Sequence, residues 1–127
     1  PFKFLARAKI FVLFSLREGL PCSILEAMAC GIPVVSTDCK SGPREILAPR
    51  TDIKHQTDDV EYAEFGILTP VASFSNSQKK LSEAILSVLT DKKLSDNLVE
   101  KSKQRAEDFN IKNIIKEWEF LENDTTA

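Results

Sequence analysis

Ile10-Phe-Val-Leu-Phe-Ser-Leu-Arg-Glu-Gly-Leu-Pro-Cys-Ser-Ile-Leu-Glu-Ala-Met-Ala-Cys-Gly-Ile-Pro-Val-Val35 is the stretch from which the fold of this chain can be read. Ile10 to Phe14 is an unbroken apolar run rich in β-formers, and Ile32 to Val35 is a second. Runs without polar alternation belong to strands covered on both faces, as in parallel α/β layers. Between them, from Pro21 to Cys30, Ile24, Leu25, Met28 and Ala29 recur at helical spacing. Gly31 stands where such a helix would end in the left-handed conformation. Strand, helix and strand in so short a span make a βαβ unit, with a crossover expected to be right-handed.

Downstream, Cys39 to Pro43 is turn-rich, and Pro43 suits the first position of a short helix carrying Arg44, Glu45, Ile46 and Leu47. Residues 49–65 are polar and uneven, and are expected to form an exposed loop without catalytic groups. Gly66-Ile-Leu68, ending at Thr69-Pro70, predicts a third strand. From Ser77 the pattern turns helical, with Leu81, Ile85, Val88 and Leu89 as one stripe. Leu94 and Leu98 open a second helix. Asn110 is placed to cap a last one, with Ile111, Ile114, Ile115, Trp118 and Leu121 on its buried side. The expected fold class is α/β: a partial Rossmann-like parallel sheet flanked by helices.

The 127 residues suit one domain, and 43 % hydrophobic with 28 % charged residues is an ordinary globular mix. Seventeen Lys and Arg against 19 Asp and Glu leave a net charge of -2, which argues against a nucleic-acid partner held by bulk electrostatics. No apolar run approaches the length of a spanning helix. Cys22, Cys30 and Cys39 have no close spacing, and His55 is the one histidine, so no metal site is expected. The thiols are read as inert groups packed as small hydrophobes in a reducing, cytoplasmic compartment. His55 is read as a surface residue rather than a general base. Arg17 is read as solvated, and Ser36, Thr37 and Asp38 as the end of the second strand, making turn hydrogen bonds.

Chemistry concentrates where the first strand ends and the helix begins. The leading N–H groups of a helix have no internal partners, and the helix dipole puts partial positive charge there. A phosphate is the natural guest. Leu20, Pro21, Cys22 and Ser23 line that mouth; Pro21 has no N–H, but Cys22 and Ser23 do. The Ser23 hydroxyl either reaches the phosphate or caps locally. Gly19 permits close approach of backbone to ligand. Glu18 precedes the turn and Glu26 lies about one helical turn beyond Cys22. Carboxylates accept paired hydrogen bonds from neighbouring hydroxyls. A glutamate on each side of a diphosphate is therefore placed to grip the two sugars of a nucleotide-sugar. In open α/β sheets, ligands collect beyond the carboxyl ends of the strands, as here.

Glu18-Gly-Leu-Pro, Leu25-Glu-Ala-Met-Ala-Cys-Gly-Ile-Pro-Val-Val-Ser-Thr-Asp38, Gly42-Pro43, Glu45-Ile-Leu47 and Gly66-Ile-Leu-Thr-Pro70 together resemble the C-terminal domain of the retaining GT-B glycosyltransferases called group one or family four. The resemblance runs from about Leu5 to Leu121, and Glu18 and Glu26 match that family's pair of glutamates separated by seven residues. It implies that Glu18 contacts hydroxyls of the transferred sugar near the reacting carbon, with Gly19 and Leu20 continuing the contact. It implies also that Cys22 and Ser23 hold the diphosphate by main-chain N–H groups and that Glu26 binds the ribose hydroxyls. The implied activity is hexosyl transfer with retention from a nucleotide-diphosphate sugar to a glycan or lipid-linked acceptor, in polysaccharide biosynthesis. No cofactor or metal is implied, the leaving phosphate helping to deprotonate the acceptor.

That family's diphosphate-clamping basic residues and its acceptor-binding domain lie upstream of the segment matched here. The chain begins at Pro1 and its one methionine is Met28. Residues 1–127 are therefore expected to be the C-terminal fragment of a donor-binding domain, inactive alone. Its cut sheet edge is expected to make the fragment self-associate. Peripheral association of the full-length protein with the cytoplasmic membrane face is a further expectation, though no basic amphipathic helix here supports it. Two alternatives stand beside glycosyl transfer: a non-catalytic nucleotide-sugar-binding module, and a sugar-nucleotide epimerase on the same fold.

Overall fold

β-Branched and aromatic side chains in the apolar runs produce strands, and the helical stripes between and after them produce helices, in strict alternation at the start. The computed structural model describes residues 8–15, 22–40 and 42–109. Within them the chain runs β1 (Phe11–Leu13), α1 (Cys22–Ala29), β2 (Val34–Thr37), α2 (Pro43–Leu47), β3 (Glu61–Tyr62), β4 (Ile67–Thr69), α3 (Ser77–Thr90) and α4 (Lys92–Asp108). The strands form one sheet in the order β1-β2-β4-β3. β1, β2 and β4 are parallel, with Phe11 opposite Val34 and Val35 opposite Ile67; β3 lies antiparallel to β4. The expected α/β parallel sheet flanked by helices is the fold found.

Strand alternation explains the two cores. Val34 and Leu68 face one side of the sheet, packed with Ile24, Leu25, Ala27 and Met28 of α1 and Ile46 and Leu47 of α2. Val35 and Ile67 face the other, under Ala84 and Val88 of α3. α4 serves both layers, Leu98 joining the second and Ala106 the first. Both faces of the central strands are therefore dry, which is why their sequences carry no polar alternation.

The end of α1 follows from one glycine. Gly31 takes φ 72, its N–H donates to the Met28 carbonyl at 2.9 Å, and the Ile32 N–H donates to the Ala27 carbonyl at 3.0 Å. This pair of bonds is the Schellman motif, and it turns the chain back into β2.

Four expectations need correction or limits. Residues 49–65 are not a loop throughout, because Glu61–Tyr62 pairs with β4 and the Ala63 N–H closes the hairpin on the Gly66 carbonyl at 2.9 Å. A two-residue strand is too short to show periodicity. In α3 the buried residues of the stripe are Ala84 and Val88, with Leu81 and Ile85 half-buried, while Leu89 is exposed beside Leu86. The helix expected from Asn110 to Leu121 lies outside the described residues. At the sheet's β1 end Val12 and Phe14 are 36 % and 45 % exposed, so the apolar run is not covered on both faces there.

Candidate functional site

Parallel β1, β2 and β4 all deliver their carboxyl ends to one edge of the sheet, and α1 starts at that edge. Cys22 opens α1 as an exposed residue, Ser23 is half-buried, and from Ile24 the helix is buried in the core. The apolar side chains at 24, 25 and 28 thus anchor the helix body and leave its N-terminal turn at the edge. Glu26 is 8 % exposed, so its carboxylate is buried with the helix body. A carboxylate at that depth requires polar company. Cys22, Ser23 and Glu26 therefore share one short helix, as expected. Glu18, Gly19 and Leu20, with Arg17, lie outside the described residues.

The structure adds a polar cluster beyond β2 that the sequence reading missed. Ser36 and Thr37 end β2, as expected, but the Thr37 hydroxyl makes no local turn bond. The Thr37 hydroxyl accepts from the Ser15 N–H at 2.9 Å and donates to the Ser15 carbonyl at 2.7 Å. Asp38 is not a turn residue either. Its carboxylate takes Arg44 Nη2 at 2.6 Å and the Thr57 N–H at 2.7 Å. Arg44 also gives Nη2 and Nη1 to the Glu61 carboxylate at 2.8 and 3.0 Å, and Nη1 to the Thr51 hydroxyl at 2.9 Å. Arg44 is 3 % and Asp38 1 % exposed. Burial works against the Arg44 charge, but hydrogen bonds to Glu61 and Asp38 and their negative charge outweigh it and push its pKa above the usual value. The guanidinium thus ties α2 to the end of β2 and to β3, with its planar fork matched to two carboxylates. The available signal was Asp38 directly after an apolar strand, a position from which its charge must be matched.

The thiols differ more than the sequence suggests. Cys39 is buried, Cys30 is half-buried, and Cys22 is exposed. Burial, and secondarily the Glu26 charge, push the Cys30 thiol up, which keeps it protonated and slow to react. Alkylation of the native protein is expected to modify Cys22 first, Cys30 slowly and Cys39 only on unfolding, as read by mass spectrometry of timed samples. Equal rates at all three would contradict the burial order. His55 is exposed, as expected. Among the described residues no group of His, Cys, Asp and Glu is arranged to hold a metal ion.

Comparison with known proteins bears on this geometry. The family model for glycosyl transferases group 1 matches residues 2–105. An uncharacterized glycosyltransferase of Methanocaldococcus jannaschii is 39 % identical over 137 aligned residues, covering 95 % of this chain and 32 % of that protein. The 4-alpha-N-acetylgalactosaminyltransferase of Campylobacter jejuni named for an N-acetylgalactosamine-N,N'-diacetylbacillosaminyl-diphospho-undecaprenol substrate is 32 % identical, covering 86 % of this chain and 25 % of that one. Among solved structures, sucrose-phosphate synthase from Thermosynechococcus elongatus superimposes with TM-score 0.62 at 24 % identity, over 98 % of this chain and 27 % of the other, a likeness of fold. The chain thus spans about a quarter to a third of the length of the curated relatives it matches.

Proposed function

From the premise that this chain belongs to the group 1 glycosyltransferases, we propose that the complete protein transfers a hexosyl group from a nucleotide-diphosphate sugar, with retention, and that residues 1–127 supply part of the donor site. The observation that carries this most is the placement of the α1 N-terminus at the carboxyl edge of the parallel strands, with the buried Glu26 one turn behind it. In this proposal the Cys22 and Ser23 amides receive the diphosphate, Glu26 takes the ribose hydroxyls, and Glu18, Gly19 and Leu20 contact the transferred sugar. Fixed amide dipoles then favour the charge that develops on the leaving diphosphate, and no metal is needed for that task. Upstream residues complete the diphosphate clamp and bind the acceptor.

The acceptor class is a lipid-linked or free glycan, supported by the diphospho-undecaprenol in the name of the Campylobacter relative. Among the described residues no helix is long and apolar enough to cross a membrane. A lipid-linked acceptor would bring the complete protein to the cytoplasmic membrane face peripherally. The exposed Val12 of β1 and Phe14 just after it are the surface through which the isolated fragment would self-associate.

The test is transfer by the complete protein from a panel of nucleotide-sugars to a lipid-diphosphate glycan, with the product anomer assigned by NMR. Transfer with the donor's anomeric configuration kept is expected. Nucleotide-sugar binding without transfer to any acceptor would leave a binding module instead, and an inverted product would refute retention.

A further inference from the structure

Parallel pairing between β1 and β2 ends at Leu13 opposite Ser36. Two residues on, the Ser15 backbone is held by a side chain instead of a strand. The Thr37 hydroxyl satisfies both backbone groups of Ser15, accepting from its N–H and donating to its carbonyl, at 2.9 and 2.7 Å. Thr37 is itself immobilised. It is fully buried, it sits opposite Thr69 of β4, and the adjacent Asp38 N–H donates to the Thr69 carbonyl at 2.8 Å. Its β-branched side chain has little χ1 freedom. A hydroxyl reaches farther from its own strand than a peptide group does. It therefore lets β1 depart from the sheet while both of the departing residue's hydrogen bonds are kept.

Ser15 is the last described residue before the 16–21 segment, and Glu18 follows it by three positions in the chain. We infer that Thr37 is a positioning residue for sugar transfer: its hydroxyl holds the Ser15 backbone, three positions before Glu18 in the chain. The inference rests on the donor-site proposal above. It adds that a residue on the neighbouring strand, with no ligand contact of its own, sets the geometry of the reacting end of the donor. Misplacing a reacting group by about 1 Å costs on the order of 100-fold in rate. A side chain that holds the root of the segment has that leverage.

The experiment compares Thr37→Val and Thr37→Ser in the complete protein. Valine keeps the shape and removes the hydroxyl; serine keeps the hydroxyl. For Thr37→Val, kcat is expected to fall about 10- to 100-fold, with donor KM changed by less than about threefold. Thr37→Ser is expected to retain most of the rate. If Thr37→Val does not fold, Thr37→Cys, whose thiol is a poor hydrogen-bond partner, takes its place against the same serine control. Loss of rate in the valine and serine variants alike, or unchanged kcat in the hydroxyl-free variant, would overturn the inference. Glu18→Gln measured in parallel separates the two levels. If it leaves turnover intact, the donor-site proposal fails. If it abolishes turnover while Thr37→Val keeps full kcat, the positioning role alone fails.

Discussion

Glu18→Gln in the complete protein is expected to lower kcat by about two to three orders of magnitude, the usual scale for removing one group that supports transition-state charge. Donor KM is expected to stay within about threefold. The substitution keeps size and hydrogen-bonding reach but deletes the negative charge. As the anomeric carbon becomes positive and the sugar hydroxyls more acidic, a carboxylate on those hydroxyls binds the transition state better than the ground state, and only that difference accelerates the reaction. Glu26→Gln provides the contrast. Because Glu26 is buried among α1 core residues, glutamine is the proper probe, alanine adding a cavity to the lost charge. Weaker hydrogen bonds to ribose are expected to raise donor KM about tenfold with kcat little changed. Steady-state kinetics with one nucleotide-sugar gives both numbers. Equal kcat in wild-type and Glu18→Gln proteins would remove Glu18 from the reaction.

Arg44→Met is expected to destabilise the fold by about 3–5 kcal/mol, the range for breaking a buried ion pair by deleting one partner. Asp38 would be left charged and buried, with Glu61 half-buried beside it. In thermal unfolding this is a fall in Tm of more than about 10 °C. The double variant Asp38→Leu with Arg44→Met is expected to recover a large part of the loss, since no charge is then stranded. A single-variant Tm within about 2 °C of wild type would mean that the cluster contributes little. By contrast, the Lys80–Asp59 pair at 2.9 Å links α3 to the loop before β3 with its carboxylate exposed, where pairs of this kind contribute little.

Local signals carried most of the architecture. An apolar run, a helical stripe and Gly31 suffice for β1-α1-β2 because each feature acts within a few residues of its cause. Pro43 at the head of α2 and Gly66 before β4 are local in the same way. What stayed hidden was non-local. The bond from Thr37 to Ser15 crosses 22 positions, that from Arg44 to Glu61 crosses 17, and that from Thr57 to Asp38 crosses 19. No window of neighbouring residues contains such pairs, so the hydrogen bonds of Ser36-Thr37-Asp38 at the end of the second strand were read as local turn bonds and residues 49–65 as a loop. In the candidate site the helix mouth was readable because an N-terminal turn is a local object. The depth of Glu26 was not, since it depends on the layers that α4 and β2 bring against α1.

A crystal structure of the complete protein with a nucleoside diphosphate bound would settle where the donor lies. Diphosphate oxygens within hydrogen-bonding distance of the Cys22 and Ser23 amides, with the ribose hydroxyls on the Glu26 carboxylate, are the expected result. A diphosphate seated away from the α1 N-terminus, with those amides in contact with solvent or protein, would contradict it.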